Sequence, residues 1–171
     1  MAGLTRIFFD TSVLLGGTID AGAASKEAQA VLDAVAEGRV SRPTTAWHCC
    51  LEYYAVVTRL PEELRLSPAA ALQLLEAEIL GRFEVVDLPS SARLSFLRCA
   101  AAHRVAGGRL YDAHIAEIAR LAGASVVVTE NLRHFPSVPE HPFRTVSAAT
   151  FLRELGKSGP KDTRSVARPK H

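Results

Sequence analysis

Residues 7 to 15 read IFFDTSVLL, an apolar run interrupted by one carboxylate, Asp10, and resumed at once. A continuous apolar run without period-two alternation is the pattern of a parallel strand covered on both faces, here with an acid at its carboxyl end. An ionised carboxylate persists in such surroundings only when it is hydrogen-bonded, paired or bound to a metal. Open α/β sheets bind ligands outside the carboxyl ends of their strands. The reading of the chain therefore turns on which residues come to meet Asp10.

Outward from this stretch, Gly16 and Gly17 are expected to loosen the chain into a loop. A helix is expected from near Ala24 to Gly38, with Ala28, Val31, Leu32 and Val35 on one face. Arg39 to Arg42 reads as a short second strand stopped by Pro43. Thr44 or Thr45 then caps a helix to about Leu60, whose apolar stripe is Trp47, Cys50, Leu51, Tyr54 and Val57, bordered by Glu52. Ser67-Pro68 is an N-cap with proline at the first helical position, opening a helix from Ala69 to Leu80. Further on come a strand at Phe83 to Val86, a helix from Ser90 or Ser91 to about Arg104, a break at Gly107-Gly108 and a helix from Leu110 to Ala122. A β-branched strand near Ser125 to Val128 follows, then a strand around Phe143 to Val146 and a helix from Ser147 to Leu155. Strands alternating with helices predict an α/β fold with a mostly parallel sheet and helices on both faces. The two most apolar strands, 7–9 and 125–128, are expected to be central neighbours.

At 171 residues the chain suits one domain, here residues 1–155, which buries roughly two thirds of its unfolded surface without staples. Residues 156–171 carry five Lys/Arg against one acid, although the whole chain is only +2. That tail is expected to be a disordered basic end, either solvated or in weak contact with phosphates. Cys49 and Cys50 are adjacent and Cys99 is alone, with no zinc spacing, so they read as reduced thiols of a cytoplasmic protein. There is no secretory leader pattern and no apolar stretch of about 18 residues, which argues against a membrane role. P-loop, GxGxxG and Ser/His/Asp patterns are absent.

Four positions compete for the edge where the central strands end: Asp10, Glu52, Asp112 in the first turn of its helix, and Asn131 after the second apolar strand. Each has a structural reading of its own. Asp10 suits a turn, Glu52 a salt bridge to Arg59 or Arg109, Asp112 the favourable end of a helix dipole, and Asn131 a strand-end turn. Three acids in one pocket repel unless a divalent cation neutralises them, and Mg²⁺ favours hard oxygen ligands of this kind. Of the six histidines none is spaced as a metal pair, and only His48 and His114 fall near the acids. Trp47, Tyr53 and Tyr54 read as core or as base-stacking residues.

Asp10-Thr11-Ser12-Val13-Leu14 after an apolar strand, Glu52 in the second helix, GGRLYDAHIA from Gly107 to Ala116 and VVTENLRHF from Val127 to Phe135 resemble the PIN-domain ribonucleases. Within these the likeness is to VapC-type toxins of toxin–antitoxin pairs, in order and spacing from about Ile7 to Leu155. The resemblance implies a three-layer α/β/α sandwich and a Mg²⁺- or Mn²⁺-dependent endoribonuclease acting on single-stranded or looped RNA. It places Asp10, Glu52 and Asp112 as metal ligands and Asn131 at a fourth position where many members carry Asp. Thr11, Ser12 and Thr129 would orient ligands or water, and Arg109 would hold a phosphate. The implied partners are RNA, a cognate antitoxin and a second copy of the chain. A rival reading is a catalytically weak PIN-like module that binds RNA or supports assembly, because Asn131 lacks a charge. A phosphohydrolase with Asp10 as nucleophile would need a second Asp where Ser12 stands.

Overall fold

The computed structural model describes residues 6–133, 135 and 142–157. The basic tail beyond Lys157, and His134, His141 and His171, lie outside the described residues. The elements are β1 (Ile7–Phe9), α1 (Thr11–Thr18), a 3₁₀ turn (Gly22–Ser25), α2 (Lys26–Ala36), β2 (Pro43–Ala46) and α3 (Trp47–Val57). Next come α4 (Pro68–Leu74), continued by a π-helical stretch (Leu75–Leu80), β3 (Glu84–Val86), α5 (Ser90–Ala102), α6 (Arg109–Leu121), β4 (Val126–Val128), β5 (Arg144–Val146) and α7 (Ala148–Lys157).

The five strands form one sheet in the order β3-β2-β1-β4-β5, every pair parallel. Ile7, Phe8 and Phe9 stand opposite Val126, Val127 and Val128, so the two runs of continuous apolar sequence are the central neighbours. All six residues are buried, as strands covered on both faces must be. From β1 the chain steps outward through β2 to β3, then returns by way of α5 and α6 to β4 on the far side of β1. Right-handed crossovers put the helices of the outward steps on one face and α5 with α6 on the other, giving a three-layer α/β/α sandwich. The strand order reverses between β1 and β4. Such a switch point leaves a crevice outside the strands' carboxyl ends. Phe9 anchors the core there, edge to face with Phe83 at 5.4 Å and with Phe151 at 5.7 Å between ring centroids.

Several local expectations give way to tertiary packing. Gly16 and Gly17 lie inside α1 instead of opening a loop. A Cβ on Gly17 would stand 2.4 Å from Leu32 Cδ1 and 3.0 Å from the Ala28 carbonyl oxygen; one on Gly16 would stand 3.0 Å from Ala28 Cβ. These glycines let α1 and α2 approach closely.

The second strand is Pro43–Ala46, not Arg39 to Arg42. Arg42 takes a positive φ of 46° and turns the chain, and proline is tolerated as the first residue of a strand. Thr44 and Thr45 therefore cap no helix. They are fully buried in β2, their hydroxyls donating to the carbonyls of Arg42 and Phe9. The α3 helix starts at Trp47 and buries Cys49, Cys50, Tyr53 and Val57, leaving Trp47, Leu51 and Glu52 exposed instead of along a buried stripe. By contrast Ser67 caps α4 as its sequence foretells, its hydroxyl accepting from the Ala70 amide at 3.2 Å. The last helix, α7, runs to Lys157, past the expected end at Leu155.

Gly17→Ala is expected to lower unfolding stability by about 1–3 kcal/mol, the range for overpacking a core. A denaturant midpoint equal to wild type contradicts this account of the α1–α2 contact.

Candidate functional site

Asp10 leaves β1 with its amide donating to the Val128 carbonyl at 3.0 Å, so β4 fixes where its side chain starts. The residue is only 6% exposed. One carboxylate oxygen, Oδ2, accepts from the Ser12 hydroxyl at 2.8 Å and the Thr129 hydroxyl at 2.8 Å. Those hydroxyls are themselves acceptors: the Glu130 amide donates to Ser12 Oγ at 3.0 Å and the Asn131 amide to Thr129 Oγ1 at 3.0 Å. A hydroxyl has one proton to give. With backbone amides aimed at both oxygens, the hydroxyl protons are left for Asp10 Oδ2, at 2.8 Å from each, and for the longer 3.3 Å contact between the two hydroxyls. The chain after β4 thereby sets the carboxylate's orientation.

Burial raises the Asp10 pKa above its ordinary value; the Ser12, Thr129 and Thr11 hydrogen bonds oppose this, and the like charge of Glu52 adds to it. Glu52 reaches the site from α3, and the buried Thr11 hydroxyl donates to its Oε2 at 2.6 Å. Thr11, adjoining Asp10, thus ties the second acid to the first. Below them Cys49 is fully buried, and burial with the nearby Asp10 charge pushes its thiol up to about 12. It remains a neutral thiol, as expected of a reduced core cysteine. Cys50 is also free and buried, while Cys99 is only half-buried.

Asp112 is half-buried in the first turn of α6. Its neighbours on that helix, Tyr111 and His114, both pack on His48 of α3, at centroid distances of 5.5 Å and 5.1 Å. The first turns of α3 and α6 therefore touch, one helical turn from Glu52. Among the described residues no group of three or more His, Cys, Asp or Glu is gathered as a ready metal cluster. The structure joins Asp10 and Glu52 through Thr11, and Asp112 stands on the element alongside.

Asn131 is half-buried, its amide engaged with Thr129. Glu130 is exposed, and its Oε1 accepts from the Ala148 amide at the start of α7, at 2.8 Å. Arg109 is the exposed first residue of α6. Sequence reasoning placed Thr11, Ser12 and Thr129 beside the acids but missed the Glu130 bond to α7. It also missed the meeting of His48 Nδ1 with His114 Nδ1 at 3.2 Å, which no sequence spacing signals.

The donors at Asp10 and Glu52 are all oxygen, with hydroxyls bracing both carboxylates. A buried acid destabilised by burial and by a second acid gains from a divalent cation, and an oxygen set of this kind suits a hard one.

A family model described as PIN domain matches residues 6–133. The chain is 41% identical over 70 residues to Ribonuclease VapC27 and 34% identical over 94 residues to Ribonuclease VapC40, both of Mycobacterium tuberculosis. Those stretches cover 40% and 50% of this chain and 48% and 62% of the relatives, so the chain spans about half of the curated relatives it matches. It is similar in fold to VapBC2 from Rickettsia felis bound to a DNA fragment from their promoter. There the TM-score is 0.58 and the identity 13%, covering 84% of this chain and 98% of that one.

Folded Asp10 holds its proton to higher pH than the unfolded chain does. In chelator, stability therefore falls as pH climbs from the ordinary carboxylate value of 3.8 through the raised native value. Asp10→Asn removes this dependence. Its melting temperature in chelator should exceed that of wild type at pH 8, with the gap closing as pH falls.

Proposed function

Since the chain belongs to the PIN domain family, we propose that it is a divalent-metal-dependent endoribonuclease that hydrolyses single-stranded or looped RNA and is the toxin of a toxin–antitoxin pair. The observation that carries this reading is the buried Asp10 carboxylate at the switch point, held by two directed hydroxyls and linked through Thr11 to Glu52. The ribonuclease names of the two mycobacterial relatives support it. The proposed ligands are Asp10, Glu52 and Asp112, and a bound Mg²⁺ or Mn²⁺ would stabilise the negative charge that builds on the phosphodiester during hydrolysis.

The chain's own residues do the positioning. Ser12 and Thr129 keep the Asp10 carboxylate turned one way, and Thr11 holds Glu52. Arg109, exposed at the start of α6, supplies a guanidinium for an RNA phosphate. Asn131 leaves the fourth position neutral, so the pocket repels RNA less than a fully acidic one. The tail from residue 156 adds a salt-sensitive contact to RNA outside the nuclease domain.

The proposed partners are a cognate antitoxin, as the likeness to a VapBC2 structure suggests, and a second copy of the chain. Exposed Leu72 and Leu80 near α4, and Trp47 and Leu51 on α3, offer apolar surface for them. No helix among the described residues is long and apolar enough to cross a membrane, and the proposed place of action is the cytoplasm.

Purified protein is expected to cut RNA with Mg²⁺ or Mn²⁺ and to stop in chelator. Asp10→Asn is expected to lose on the order of a hundredfold or more in rate. Ser12→Ala or Thr129→Val, which loosen a ligand without removing it, should each lose roughly 10–100-fold. The neutral Asn131, and the lack of a gathered acidic triad among the described residues, favour one second reading, an RNA-binding module. RNA binding unchanged by chelator, with no cleavage of a mixed RNA pool, would select it.

A further inference from the structure

Beside the acids, between the first turn of α3 and the α5–α6 pair, lies a cavity of about 280 Å³. Its walls include His48, Leu88, Arg93, Phe96, Tyr111 and His114. Four of these are rings in one continuous series: Tyr111 on His48 at 5.5 Å, His48 on His114 at 5.1 Å, and His114 on Phe96 at 5.4 Å. The histidine Nδ1 atoms are 3.2 Å apart, a hydrogen bond in which one must accept.

We propose, resting on the ribonuclease reading, that this cavity receives one nucleobase of the RNA next to the cleaved phosphate. The size suits one heteroaromatic ring, since pockets for drug-sized ligands begin near roughly 300 Å³. The rings give the cavity an almost wholly apolar wall, with faces on which a base can stack. Arg93 at the cavity is largely exposed and only loosely paired with Asp87 at 4.0 Å, an ion pair that an RNA phosphate can replace. The location fits a base joined to a phosphate at the acids. His48 lies one turn before Glu52 on α3, about 5–6 Å away between Cβ atoms, and Tyr111 adjoins Asp112.

The test uses full-length protein in chelator and heptaribonucleotides that are abasic throughout or carry a single A, C, G or U, with affinity read by fluorescence anisotropy. At least one base should tighten wild-type binding by about fivefold or more. Tyr111→Ala, at a residue 59% exposed, and His48→Ala should each bring that ratio within about twofold of unity without changing the melting temperature. Absence of RNA binding, absence of a base effect in wild type, or a base effect that survives both substitutions overturns the proposal. So does loss of a co-purifying protein partner in these variants with the base effect intact, which would make the cavity a protein-docking face. Adding Mn²⁺ and base-containing RNA separates the two readings. A base effect without cleavage defeats the ribonuclease reading alone, and cleavage without a base effect defeats this proposal alone.

Discussion

The structure depends on keeping a carboxylate at the buried end of β1. Asp10 emerges between two strands that are apolar on both faces, where an unsupported charge is disfavoured. The fold answers with hydroxyls on both sides of the switch point, Ser12 from the first turn of α1 and Thr129 from the end of β4. Because amides of Glu130 and Asn131 aim those hydroxyls, the β1–β4 register and the carboxylate's orientation are one constraint. A slip of β4 against β1 would move the Thr129 hydroxyl and both amides together.

The constraint spreads outward through single bonds. Glu130 joins the Ser12 hydroxyl to the start of α7, and Thr11 joins Asp10's neighbourhood to α3. The centre remains under charge stress: burial and Glu52 both disfavour ionised Asp10, and the same charge helps keep Cys49 a thiol. A divalent cation would offset that charge, as the proposed function requires. Next along the chain, Glu130 turns one carboxylate oxygen to the start of α7 and Asn131 gives its amide to Thr129.

The central sheet was legible because β1 and β4 are runs without alternation, which only strands covered on both faces tolerate. Ser67-Pro68 was legible because capping is local chemistry. The failures lie where distant residues decide. Gly16 and Gly17 look like a loop until Leu32 and Ala28 of α2 occupy the space their side chains would need. Thr44 and Thr45 look like helix caps until the Phe9 and Arg42 carbonyls claim their hydroxyls. At the site, the family likeness pointed to Asp10, Glu52, Asp112, Asn131, Arg109 and the hydroxyl residues, of which the Thr11–Glu52 bond joins two. The partner of Glu130 and the His48–His114 bond needed coordinates, because each links segments that no local pattern relates.

The central claim is that Asp10 and Glu52 together form a cation site. Diffraction from crystals soaked in Mn²⁺, with data collected for anomalous scattering, tests it most directly. The account predicts a peak bonded to carboxylate oxygens of both Asp10 and Glu52. A peak that leaves Asp10 uncoordinated, or no peak at this end of the sheet at millimolar Mn²⁺, would contradict it.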